Sequence, residues 1–154
     1  MTVEPMTVEP RDVETPPLHP EMAKILEEAA AVPRLDPRTT PIALQRRAVE
    51  IAAVVWNAPP FPCETVRDLE VPSPNGPMRA RLHRAAGARD DAAILYLHGG
   101  GWTFGSVESH DGVTRRLAAT TRRPVLSIDY RLAPEHPHPA PAQDTAAALA
   151  RLPD

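Results

Sequence analysis

Residues 94 to 105 read ILYLHGGGWTFG, a run of strand-forming side chains that ends in three consecutive glycines. Glycine loses more backbone freedom on ordering than any other residue and weakens regular structure. Three in a row at the end of a strand mark a backbone that must come very close to something. In a parallel sheet such a position is the carboxyl edge, where α/β proteins place their ligands.

The surrounding sequence predicts that sheet. Residues 92 to 98, AAILYLH, form a short continuous apolar run, as expected of a strand covered on both faces, and PVLSIDY at 124 to 130 reads the same way. CETVRDLEVPSPNGPMRARLH, residues 63 to 83, alternates on both sides of the turn-forming PNG and predicts an antiparallel hairpin. Ser109 is the expected cap of a helix that carries Val113, Leu117 and Ala118 inward, and an alanine-rich helix is expected over about 141 to 152.

Two helices are expected ahead of the hairpin. Met22, Ile25, Leu26, Ala29 and Val32 recur at helical spacing from Pro20, and Pro33 ends the run. A second helix starts at Thr39 or Thr40 as N-cap with Pro41 in its first turn, and stops near Asn57. Leu44, Ala48, Ile51, Ala52 and Val55 are its expected apolar face. Alternating strand and helix in the second half predicts a parallel, two-layered α/β sheet. Fourteen of the 20 prolines fall in the first 77 residues, so the front of the chain is broken up and the back is not. The opening MTVEPMTVEP is a doubled pentapeptide, too short for a structural repeat, and with Pro16 and Pro17 it is expected to be extended or disordered. The expected organisation is a disordered tail over 1–17, cap or lid helices over 18–60, and an α/β core over 61–154.

Composition removes several classes. A formal net charge of −3 gives no reason to expect nucleic acid, and 4% aromatics argue against a base-stacking surface. The one cysteine, Cys63, cannot form an internal disulfide and reads as a small buried or half-buried residue. The start has no cationic end followed by an apolar run, so no signal peptide is expected. No stretch approaches the roughly 20 apolar residues that span a bilayer. A soluble, cytoplasmic protein without a membrane span is the expectation.

Without side chains, Gly99, Gly100 and Gly101 can aim backbone N–H groups at a small anionic centre. Two convergent N–H groups in a dry pocket suit an ester or amide carbonyl as it becomes a tetrahedral oxyanion, each donor being worth about 10² to 10³ in rate. A phosphate loop is the competing reading, but no GxxxxGK[ST] and no GxGxxG with a following acidic residue is present. His136 and His138 form an HxH pair without a third ligand at useful spacing, so no metal and no cofactor are expected.

HGGGW at 98–102, followed about thirty residues later by DYRLAPEHPHPA at 129–140, resembles the hormone-sensitive-lipase-like branch of the α/β-hydrolases. These are carboxylesterases and lipases acting mostly on short acyl esters. LHPE, NGPMRARLHR and GSVESHD also fit, so the resemblance covers about residues 18 to 152. It implies an oxyanion hole formed by Gly100 and Gly101, with Gly99 in the same loop and His98 bracing it. Trp102, Asp129, Tyr130 and Arg131 are implied as loop support, Asp129 and Arg131 through buried charge-assisted bonds. The helices over about 20 to 57 are implied as a lid over the acyl pocket. The family often has an aromatic residue at the place of His138 and an acidic one near that of Gln143, and this chain departs at both.

The same family uses a serine nucleophile in GxSxG, followed by an acid and a histidine. Ser73, Ser106, Ser109 and Ser127 sit in PSP, GSV, ESH and LSI, none of which fits. The chain ends about where the family's next strand would start, so the whole triad is expected to be absent and the chain alone inactive. Ser109 with His110 is not expected to substitute, because adjacent residues at a helix start cannot set hydroxyl, base and orienting carboxylate in line. In the family's sheet the third strand lies between the fourth and the fifth. Without a fifth, AAILYLH is expected to expose a flat apolar edge through which the chain self-associates. The alternative function is a non-catalytic ligand-binding protein on the same fold.

Overall fold

Pro74 and Asn75 make a two-residue turn that sets the register of the sheet. The computed structural model describes residues 17–31 and 35–152. Residues 1–16 of the expected tail, and Val32 and Pro33 at the expected helix end, lie outside the described residues.

In chain order the elements are α1 Pro20–Ala31, α2 Ile42–Trp56, β1 Thr65–Ser73, β2 Gly76–Arg84, β3 Ile94–Leu97, α3 Asp111–Thr121, β4 Val125–Ile128 and α4 Ala140–Leu149. β1 and β2 form the expected hairpin, paired from Thr65 opposite Arg84 to Ser73 opposite Gly76. Gly76 takes a φ of 109°, which side-chain-bearing residues rarely adopt. β2 then pairs antiparallel with β4, and β4 parallel with β3, giving the sheet order β1-β2-β4-β3.

Strand alternation sorts the side chains into two layers. Val71, Met78, Ala80, Leu126, Ile128 and Tyr130 build the main core with Ala148 of α4. On the opposite face His83 is fully buried and meets Asp111 of α3 at 2.9 Å. All four residues of β4 are buried, as the continuous apolar run predicts.

β3 departs from the same expectation. Ile94, Leu95 and Tyr96 are half-buried and Leu97 is 44% exposed, because β3 stands at the edge of the sheet. α3 starts from His110, not from a Ser109 cap, and buries Thr114 and Ala118 while Val113 is exposed. The Ser109 hydroxyl is held instead by Ser106, whose N–H it accepts at 2.8 Å.

The described residues up to Asp36 form one compact unit and those from Pro37 another. Within the first, α1 leaves Met22, Ile25 and Leu26 exposed. Within the second, α2 reverses the expected amphipathicity. Leu44, Ala48, Ile51 and Val55 face solvent, Pro41 takes the N-cap position without a side-chain bond, and the buried residue is Ala53. The partner of a helix decides which face is inner. Here it is the polar segment 103–112, which offers carbonyls and hydroxyls rather than oil.

α4 is tied down by charge. Asp144 is fully buried and accepts the Arg131 N–H at 2.9 Å and its Nε at 2.9 Å. Asp144→Ala leaves that guanidinium without its partner, and a loss of about 3 kcal/mol in stability is expected in urea titration.

Candidate active site

The glycine loop opens on a cavity of about 790 Å³ between the ends of β3 and β4 and the start of α4. Leu97, Trp102, Tyr130, Pro141 and Ala142 are among the residues that wall it, and Gly99, Gly100 and Gly101 form part of its rim.

Left-handed backbone runs through three consecutive residues, with φ of 123° at Gly100, 60° at Gly101 and 57° at Trp102. A Cβ on Gly100 would land on the Phe104 carbonyl, so no other residue fits there. The Gly100 carbonyl accepts the N–H groups of Thr103 at 3.1 Å and Phe104 at 2.9 Å. In a trans peptide the carbonyl and the following N–H point in opposite directions. The Gly101 N–H is thereby aimed away from the turn. Among the described residues, neither the Gly100 nor the Gly101 N–H is used in a hydrogen bond.

His98 sits under the loop, 4% exposed. Its Nδ1 lies 3.0 Å from the Gly99 carbonyl, which can only accept, so Nδ1 carries the proton. Its ring stacks on Tyr130 at 4.3 Å, and the Tyr130 hydroxyl donates to the His98 carbonyl at 2.6 Å. Gly105, which sequence reasoning did not single out, passes so close that a Cβ would strike His98 Nδ1. Below it His110 lies tilted against His98, ring centres 5.6 Å apart.

The remaining support residues divide. The Trp102 carbonyl accepts the Ala133 N–H at 2.8 Å, while its indole stands 66% exposed at the cavity rim. Asp129 accepts the Val107 N–H at 2.7 Å, just downstream of the loop, and burial pushes its carboxyl up. Arg131 does not touch the glycine loop; its charge is spent on Asp144. His136 and His138 are exposed. Cys63 is half-buried, and burial raises its thiol.

Ser109 and His110 meet one part of the arrangement that a nucleophile needs and miss the rest. Their Oγ and Nδ1 do come together, at 3.0 Å. The orienting carboxylate is misplaced, because Glu50 accepts from Ser106 Oγ at 2.7 Å and does not reach the imidazole. Two partners that sequence spacing could not reveal, Arg46 and Glu135, lie 89 residues apart and meet beside the loop.

Residues 94–154 match the family model described as alpha/beta hydrolase fold. The hyperthermophilic esterase from the archaeon Pyrobaculum calidifontis superposes with a TM-score of 0.79 at 38% identity, over 87% of this chain and 43% of its own. The chain has the α/β-hydrolase fold. This hydrolase-fold chain is also 46% identical over 84 residues to the carboxylic ester hydrolase LipN of Mycobacterium tuberculosis, covering 54% of the chain and 22% of the relative. With an acetyl esterase of Salmonella paratyphi A it shares 36% over 106 residues, 69% of the chain and 32% of the relative. The chain spans less than half the length of each of these relatives. No helix among its described residues is long and apolar enough to cross a membrane.

Burial pushes the imidazoles of His83, His98 and His110 down in the folded hydrolase-fold chain. The unfolded chain takes up protons there near pH 6.5 and the folded chain resists, so folding stability falls as pH drops below about 6.5. The upward shift of Asp129 acts in the opposite sense, in the lower range where carboxylates titrate. Urea midpoints measured at pH 7.5 and 5.5 are expected to be lower at pH 5.5, with a smaller difference in His83→Gln.

Proposed function

We propose that this chain supplies the oxyanion-stabilising part of a carboxylic ester hydrolase. The reading rests on one observation, the two unused N–H groups of Gly100 and Gly101 at the rim of a mostly apolar cavity. The names of the relatives agree with it: a carboxylic ester hydrolase, an acetyl esterase and a hyperthermophilic esterase.

When a nucleophile adds to an ester carbonyl, the oxygen becomes an anion and gains two strong acceptor directions. The Gly100 and Gly101 amides donate to it from a backbone already fixed, so no reorganisation is needed as charge develops. His98 is neutral and holds the loop through the Gly99 carbonyl, with Tyr130 stacked beneath it. Leu97, Pro141 and Ala142 give the cavity an apolar wall against which an acyl chain can pack. No serine of the chain lies in GxSxG, so no residue of it is assigned as nucleophile.

Two experiments test the reading. Purified chain should hydrolyse p-nitrophenyl acetate only at background rate, and saturable turnover would overturn the inactive assignment. Residues 37–152 grafted in place of the corresponding segment of the Pyrobaculum calidifontis esterase should give an active chimera. Gly100→Ala in that chimera, whose Cβ would strike the Phe104 carbonyl and displace the loop, should lower kcat by about 10²-fold or more. An unchanged kcat removes the oxyanion role.

We extend the reading to association through β3. Its edge carries only Ile94, Leu95, Tyr96 and Leu97, with no charge to discourage pairing with another strand. Sedimentation of the chain should show dimers or larger species that Leu97→Lys disperses.

A further inference from the structure

One face of α2 carries Arg46, Glu50, Ala53 and Asn57 at spacings of four, three and four, the row that lies against residues 103–112. Asn57 closes the far end, donating to the Glu108 carbonyl at 2.9 Å and accepting the Gly112 N–H at 3.0 Å. Glu50 accepts from Ser106 Oγ, which itself caps the N–H groups of Glu108 and Ser109 at 3.1 Å each.

Arg46 holds the end nearest the glycines. Its Nε donates to the Thr103 carbonyl at 2.8 Å and its Nη2 to the Ala133 carbonyl at 2.8 Å. The fork is completed by Glu135, whose two oxygens accept from Nη1 at 2.9 Å and Nη2 at 2.8 Å. Arg46 in turn draws the Glu135 carboxyl down to about 2, so the pair stays charged at any ordinary pH.

The two carbonyls are significant because of what their residues do with their N–H groups. Thr103 donates to the Gly100 carbonyl, and Ala133 donates to the Trp102 carbonyl. A single guanidinium therefore grips both residues that fix the Gly100–Gly101 and Trp102–Thr103 peptides, the first of which carries the Gly101 N–H. The Thr103 carbonyl shares its peptide with the Phe104 N–H, so a cation on that oxygen also polarises the bond that Phe104 gives to the Gly100 carbonyl.

We propose that Arg46 is a positioning residue that sets the direction in which the Gly101 amide points, His98 holding the Gly99–Gly100 peptide beside it. Its catalytic meaning rests on the oxyanion reading above; its effect on the loop does not. A lysine cannot replace it, since one ammonium on a flexible stem cannot bond two diverging carbonyls and a carboxylate in a plane.

The test is residue-resolved amide hydrogen exchange by NMR on the full chain and on Arg46→Ala, Arg46→Lys and Glu135→Gln. In Arg46→Ala the Thr103, Phe104 and Ala133 amides should exchange about 10- to 100-fold faster, the range for losing a charged hydrogen bond. The Gly101 amide resonance should shift, while Leu82 and Leu126 in the sheet keep their rates. Arg46→Lys should behave like the alanine variant. Glu135→Gln, which keeps both carbonyl bonds, should leave the loop close to wild type. Faster exchange spread evenly over residues 37–152, an unchanged Thr103, or full rescue by lysine each overturns the proposal. If Arg46→Ala fails to fold, the lysine variant carries the same decision. Failure here leaves the turnover tests standing, and an inactive chimera leaves this exchange pattern untouched.

Discussion

A loop that keeps two N–H donors unspent must be held in place by every other group it has. This requirement organises the second half of the chain. Its carbonyls carry the burden: Gly100 accepts two N–H groups, Trp102 one, Gly99 the imidazole of His98, and His98 the hydroxyl of Tyr130. Among the N–H groups left without a hydrogen bond are those of Gly100 and Gly101, which lie at the cavity rim. Left-handed backbone at Trp102, outside the range ordinary residues favour, is a local cost that this set of bonds offsets.

The same requirement explains why α2 turns a polar row inward. An apolar face laid on residues 103–112 would have buried carbonyls and hydroxyls without partners, at about 1 to 3 kcal/mol for each group. Arg46, Glu50 and Asn57 satisfy them instead, and only Ala53 is small enough to pack between. The aliphatic residues Leu44, Ile51 and Val55 are left outside.

Periodicity made the sheet legible. The alternation of residues 63–83, the PNG turn and the apolar run at 124–130 each appear where the sequence places them. What failed were three inferences about facing that assumed an apolar partner: the stripe of α2, Val113 on α3 and the covered strand at Ile94–Leu97. The site was partly readable, because glycines with a flanking histidine have few other uses. His98, Gly99, Gly100, Gly101, Trp102 and Tyr130 do lie together around one cavity. Arg46 carried no signal, since its partners Thr103, Ala133 and Glu135 are 57 to 89 residues away. Arg131 does make a buried charge-assisted bond, but its partner carried no signal either. A charged residue beside the loop in sequence found its carboxylate on α4, in Asp144.

The tight connection at Pro74-Asn75 has a final effect on folding. Met78 and Ala80 lie in the main core, while Arg79 pairs with Asp68 and Arg81 reaches Asp68, Glu108 and Asp111 on the opposite side. Sliding one strand past the other by a single residue would exchange these two sets, driving guanidinium groups under α4 and hydrocarbon among carboxylates. The two faces of the hairpin thus accept a single alignment, and a misaligned copy has nowhere comfortable to settle.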